Sequence, residues 1–171
     1  MKRHGYDPRS KLDRDSLDPY IMRPELPKLA VATGLEVLGC GVGRVVFLIC
    51  KNDELTGDQG LVLKIPYNSF GWEANVTEGR AWKRVTGLLR KFLVPVVDYS
   101  SDGAWLTMEY ADDDWRHRLG KSRDYQAVRD AARVLMDRSD NTTGLISAYV
   151  DMQSHNWGTH DGTLKLLDYG M

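Results

Sequence analysis

The run Asp151-Met-Gln-Ser-His-Asn156 sets a carboxylate and a carboxamide five positions apart, and a second carboxylate, Asp168, follows after a turn and the apolar pair Leu166-Leu167. A carboxylate can orient an attacking hydroxyl and take its proton, while amide and carboxylate oxygens are hard ligands suited to magnesium on a polyphosphate. The spacing lets a tight loop leave Asp151 at an acceptor while Asn156 reaches the metal. Gly162-Thr-Leu-Lys-Leu-Leu167 reads as a short hairpin that returns the chain to the site. An acid and an asparagine in a loop are common in proteins, so the reading depends on parts upstream that would hold phosphate and orient it.

Those parts must be strands, turns and one helix. Residues 35–38 and 44–50 are rich in β-branched and apolar residues, and Gly39, Gly41 and Gly43 lie between them. An ordinary glycine hairpin accounts for this, and so does a flap whose backbone amides approach a phosphate. Arg44 directly follows the glycines and offers a permanent cation there. Lys64 lies inside the apolar strand 61–65, where an ammonium is costly unless it snorkels or meets an anion. A helix is expected over residues 73–89, with Trp72, Val76, Ala81 or Trp82, Val85 and Leu88 or Leu89 as its apolar stripe. Glu78 near its middle is the candidate partner for Lys64. Glu73 is the rival, though a start-of-helix position suits it better to the helix dipole.

Residues 92–97 and 104–110 read as two more strands around the turn Ser100-Ser-Asp-Gly103, completing a five-stranded sheet with one helix. Ala111-Asp-Asp-Asp114 would cap a helix beginning at Trp115. A second helix over residues 125–137 would present Val128, Ala132, Leu135 and Met136 as a stripe.

Composition narrows the classes. Lys+Arg total 23 against 24 Asp+Glu, a formal net charge of −1, so there is no basic footprint for nucleic acid. Hydrophobic residues at 42% and charged residues at 27% are ordinary for a globular domain. No apolar run is long enough to span a membrane, and a cytoplasmic location is expected. Cys40 and Cys50 have no metal-type spacing and read as reduced, buried thiols. Residues 1–28, with Pro8, Pro19, Pro24 and Pro27, lack periodicity and read as an extended or disordered arm.

The order of these parts resembles the protein kinase-like superfamily across residues 35–170. The glycine loop is matched by Leu38-Gly39-Cys-Gly41, the strand lysine by Val62-Leu63-Lys64, and the helix glutamate by Glu78. Met108-Glu109-Tyr110-Ala111 is similar to the hinge, Asp151 through Asn156 to the catalytic loop, and Leu167-Asp168-Tyr169-Gly170 to the magnesium motif. The loop Asp-Met-x-Ser-x-Asn is most similar to minimal phage-encoded serine/threonine kinases. Aminoglycoside-type small-molecule kinases share its acid-to-asparagine spacing.

The resemblance implies a two-lobed α+β fold. Residues 29–110 would form an N-lobe with a five-stranded antiparallel sheet and one helix, and residues 111–171 a truncated, minimal C-lobe. It implies ATP as substrate with Mg²⁺, or Mn²⁺ in its place, and a protein acceptor, from the host if the chain is phage-encoded. Asp151 would be the catalytic base, with Lys64 on the phosphates and Glu78 orienting it. Gly39, Gly41, Gly43 and Arg44 would cover the nucleotide, the backbone of Glu109 and Ala111 would take the base, and Asn156 and Asp168 would hold the metal.

Departures are Arg44 in place of the third loop glycine, Tyr149-Val150 before the catalytic acid, Gln153 in place of a lysine, and no activation segment or C-lobe helices after Gly170. The last implies a fraying Asp168 and an exposed underside covered by a homodimer partner, a host protein or the arm. A nucleotide-binding pseudokinase and a small-molecule kinase are the alternative readings.

Overall fold

The computed structural model describes residues 32–51, 60–112, 126–134 and 156–169. The chain is α+β, built on a five-stranded antiparallel sheet in the order β1-β2-β3-β5-β4 and a separate two-stranded hairpin, β6-β7. The strands are β1 (Glu36–Cys40), β2 (Arg44–Cys50), β3 (Leu61–Pro66), β4 (Val96–Tyr99), β5 (Leu106–Glu109), β6 (Trp157–His160) and β7 (Thr163–Leu166), with helix α1 (Ser69–Arg84) and the short α2 (Gly87–Arg90) between β3 and β4. Residues 126–134 are helical. No helix is long and apolar enough to cross a membrane among the described residues.

Period-two alternation selects the inner face of the sheet. Register places Val46 opposite Lys64 and Leu48 opposite Val62, then Val62 opposite Met108 and Lys64 opposite Leu106. Leu48, Val62, Leu106 and Met108 join Leu93, Val94, Trp157, Leu166 and Tyr169 in one core, so the hairpin shares the interior of the larger sheet. Backbone bonds fasten it there. Leu166 N–H donates to Phe92 O at 2.7 Å and Val94 N–H to Leu166 O at 3.0 Å, while Asp112 and Thr159 exchange bonds of 2.9 and 2.7 Å.

Several expected boundaries move for local reasons. β1 runs on through Gly39 and Cys40 with a bulge between Val37 and Gly39, so Gly39 is a strand residue and the turn proper is Gly41-Val42-Gly43. The strand expected over residues 92–97 begins only at Val96, because Pro95 lacks the N–H a ladder needs; Leu93 bridges to Leu166 instead. Residues 157–160, expected as a glycine-rich turn, form β6. The turn is Asp161-Gly162, with φ of 50° and 68°, the left-handed pair that a two-residue hairpin requires.

The helix differs most. α1 starts at Ser69, capped by Asn68, whose side chain accepts from Gly71 N–H at 3.1 Å. It stops at Arg84, and Gly87 at φ 64° lets the chain restart as α2. Its buried face is Ser69, Gly71, Ala74, Asn75, Glu78, Gly79 and Ala81; of the expected stripe Ala81, Val85 and Leu89 are buried, whereas Trp72, Val76 and Trp82 are half-buried and Leu88 is exposed. Small residues face inward because neighbours come close. A Cβ on Gly43 would lie 2.5 Å from Gly71 N, and one on Gly79 would run into the Tyr99 ring.

Cys40 is half-buried and Cys50 exposed, so the expected burial of both thiols does not hold; Cys50 sits at the outer end of β2. Ala132 is fully buried and Val128 half-buried, whereas Leu135 and Met136 lie outside the described residues. The arm 1–28, the cap at Asp113 and Asp114, the catalytic-loop candidate Asp151 and Gly170 lie outside them too.

Candidate functional site

The glycine turn is held from one side. Tyr67 hydroxyl donates to Gly41 O, Asn68 Nδ2 to Val42 O at 2.9 Å, and Tyr67 N–H to Gly43 O at 3.0 Å. All three loop carbonyls are therefore tied to the segment that caps α1. Among the described residues, no hydrogen bond engages the N–H of Val42 or Gly43. Gly39 and Gly41 have open space where a Cβ would stand, whereas Gly43 is packed on Gly71. Tethered carbonyls beside unused amides are what an anion-binding turn needs.

Next to the turn lies a cluster of four charged groups, three of them, Arg44, Lys64 and Glu78, buried and the fourth, Asp168, half-buried. Lys64 Nζ is 3.0 Å from both carboxylate oxygens of Glu78 and donates to Leu167 O at 2.7 Å. Glu78, not Glu73, is the partner of Lys64: Glu78 is fully buried while Glu73 faces solvent. Arg44 Nη1 donates to Glu78 Oε2 at 2.7 Å and to Asn75 Oδ1 at 3.1 Å, and Nη2 reaches Asp168 Oδ1 at 2.5 Å. Asn75 anchors this arrangement by donating to Gly103 O at 2.9 Å.

Burial pushes the Lys64 ammonium below its ordinary pKa; Glu78 opposes the shift without cancelling it, and Arg44 adds to it. Burial also works against the Arg44 guanidinium, but Glu78 and Asp168 outweigh it and hold Arg44 above its ordinary value. Arg44 is 6% exposed, so its guanidinium turns inward onto the two carboxylates instead of extending over the glycine turn.

Asp168 is tied down on both sides. Leu167 O is held by Lys64; Tyr169 is fully buried, its hydroxyl donates to Val94 O at 2.8 Å, and its N–H faces Glu78 Oε1 at 3.4 Å. Burial raises the Tyr169 pKa. The expectation that Asp168 frays is corrected by these contacts. Asn156 sits across the hairpin, accepting from Leu167 N–H at 2.7 Å through its backbone carbonyl, which places it beside the residue preceding Asp168.

No group of three or more His, Cys, Asp and Glu side chains that could hold a metal occurs among the described residues. Asn156 and Asp168 are nonetheless hard oxygen donors at neighbouring ends of one hairpin, and the Asp168 side chain is 32% exposed. They fit magnesium, which keeps several waters and needs only one or two protein ligands beside phosphate oxygens.

The expected base-binding segment follows β5. Glu109 N–H donates to Pro95 O at 2.9 Å and Tyr110 N–H to Gly60 O at 2.6 Å. Among the described residues none bonds the backbone of Ala111. Lys64, Glu78, Arg44, Asp168 and the neighbouring Asn156 thus come together, Glu109 and Ala111 lie at the far end of β5, and the position of Asp151 lies outside the described residues.

Sequence reasoning overlooked Asn68, Asn75 and Tyr67. Asn68 three residues before Gly71 is a cap signature, and Asn75 shares the face of Glu78 at a spacing of three. No protein-family model matches the chain, and no curated protein matches it.

Proposed function

We propose that this chain binds Mg²⁺–ATP and transfers the terminal phosphoryl group to a hydroxyl of a protein acceptor, as a minimal serine/threonine kinase of phage type on a two-lobed, kinase-like frame. The observation that carries the reading is the buried Lys64–Glu78 pair, whose ammonium also grips the carbonyl of the residue before Asp168. A lysine so oriented presents a fixed charge to the α/β-phosphates and ties it to the metal-ligand segment.

Amides of the 41–43 turn approach phosphate oxygens. Asn156 and Asp168 would hold the magnesium, which when bound neutralises charge on the transferring group. Asp151 orients the acceptor hydroxyl. The acceptor oxygen forms a bond to the γ-phosphorus, the bond from that phosphorus to the β–γ bridging oxygen breaks to release ADP, and the hydroxyl proton passes to Asp151.

A nucleotide-binding pseudokinase is the second reading, favoured by the Arg44–Asp168 pair: a guanidinium already compensates the carboxylate that the metal would need. Labelled ATP with the purified chain and candidate acceptors separates the two. The kinase reading expects transfer that Asp168→Ala abolishes along with Mg–ATP binding, and that Asp151→Asn cuts by about 10²–10⁴ while leaving binding intact. Binding without transfer under any acceptor or metal leaves the pseudokinase. Absence of a thermal shift with ATP, ADP or GTP at millimolar concentration removes both.

A further inference from the structure

One buried polar group has no part in the phosphate chemistry. His160, at the end of β6, is 2% exposed, yet both ring nitrogens are engaged. Nε2 contacts Glu109 Oε2, while Nδ1 lies 2.8 Å from Lys165 Nζ and 3.1 Å from Asp161 Oδ2. A carboxylate can only accept, so the Nε2–H donates to Glu109, while Nδ1 faces both a donor, Lys165, and an acceptor, Asp161. Its burial and full engagement exclude a nucleophile or a proton shuttle, and no metal cluster forms around it among the described residues.

What His160 does hold is the segment 109–112. Contacts that join that segment to β6 include the Asp112–Thr159 backbone pair, the approach of Ala111 to Gly158, where a Cβ would stand 3.0 Å from Ala111 Cβ, and the side-chain contact of His160 with Glu109. The last is a side-chain hydrogen bond. A buried imidazole fixed by Lys165 on one side fixes the Glu109 carboxylate on the other, and with it the backbone that leads to Ala111.

We propose that His160 is a positioning residue for the nucleotide base, acting through Glu109 on the backbone of Ala111. This rests on the nucleotide-binding reading above. It assigns affinity for the base to the His160–Glu109 contact and affinity for the phosphates to the Lys64 cluster, so the two are separable by ligand.

The test compares the full chain with His160→Ala, His160→Gln, Glu109→Ala and the His160→Ala/Glu109→Ala pair, measuring Kd for ATP and for inorganic tripolyphosphate with Mg²⁺, and kcat and KM for transfer. His160→Ala should weaken ATP binding about tenfold, the scale of one hydrogen bond to a charged group, and leave tripolyphosphate binding unchanged. KM should rise while kcat stays within about twofold. His160→Gln, whose amide can still donate to Glu109, should restore ATP affinity, and the double variant should be no worse than either single one.

Equal loss for both ligands, no loss for either, or failure of glutamine to restore ATP binding would overturn the inference while the proposed function stands. If His160→Ala does not fold, Glu109→Ala decides by the same selectivity. A wild-type chain that binds neither ligand overturns the proposed function and this inference with it; one that binds tripolyphosphate as tightly as ATP overturns the inference alone.

Discussion

Two polar clusters sit at opposite ends of the β6-β7 hairpin, and they are closed in different ways. At the Asp168 end, Arg44 and Lys64 meet Glu78 and Asp168, two cations against two carboxylates, with Arg44, Lys64 and Glu78 all buried. At the turn end, His160 mediates between Glu109, Asp161 and Lys165, and the carboxylates keep contact with water, at 25% and 55% side-chain exposure. The first cluster is drawn from β2, β3, α1 and the segment after β7, so it locks the sheet, helix and hairpin together by direct ion pairing. Three members of the second lie within six residues of one another, and only Glu109 reaches across to the larger sheet. The first cluster pairs formal charges directly inside the core, while the segment expected to meet the base is held through a buried imidazole that stands between Glu109 and the turn.

Breaking the first cluster at its centre should do the most damage. Glu78→Ala leaves two buried cations without their shared carboxylate, and urea denaturation should show a loss of about 3–5 kcal/mol. Arg44→Ala removes one cation while Lys64 keeps Glu78, and Asp168 can recover part of its hydration; the expected loss is smaller, about 1.5–3 kcal/mol, read the same way. If Arg44 competes with metal for Asp168, the same variant should also bind Mg²⁺ more readily in a thermal-shift titration, and an unchanged or weaker response would show that it does not.

The charged lysine offers a subtler probe. The pKa of Lys64 is lowered on folding, so between that value and the ordinary 10.5 the unfolded chain holds the extra proton and stability from this group rises with pH; below the lowered value both states are protonated and its contribution is flat. The stability of wild type minus that of Lys64→Met, followed by urea denaturation toward pH 10.5, should therefore slope upward. A downward slope would mean that pairing with Glu78, not burial, dominates.

The smallest effect belongs to the second cluster. Asp161 is more than half exposed, and water screens its contact with His160, so Asp161→Asn should change stability by no more than about 1 kcal/mol. A loss comparable to that of Glu78→Ala would erase the contrast between the two clusters.

Much of this was legible in the chain itself. Alternation and turn chemistry predict five antiparallel strands and one main helix, and Lys64, Glu78, Arg44 and Asp168 stand out as charged residues in or beside apolar elements. The inward face of α1 followed from the sequence only in part: hydrophobic periodicity offers Trp72, Val76 and Ala81 or Trp82, of which Ala81 is buried, and the rest of the inward face carries small and polar residues suited to the charges beneath it. The choice between Glu73 and Glu78 was equally hidden: five residues of helix rotate a side chain by about 500°, about 140° away from its starting direction, so only one of the two can face Lys64.

Local sequence, then, determined the elements, because backbone sterics, β-branching, caps and glycine positions act over a few residues. It also determined which charges were available. Tertiary structure alone decided their partners. Arg44 meets Asp168 across 124 positions and Lys64 meets Leu167 O across 103, distances in sequence over which no periodicity carries information. The partnership of His160 with Glu109 was decided in the same way, by the docking of β6 against the end of β5, since an imidazole buried there alone would leave Nε2 without water and without a partner.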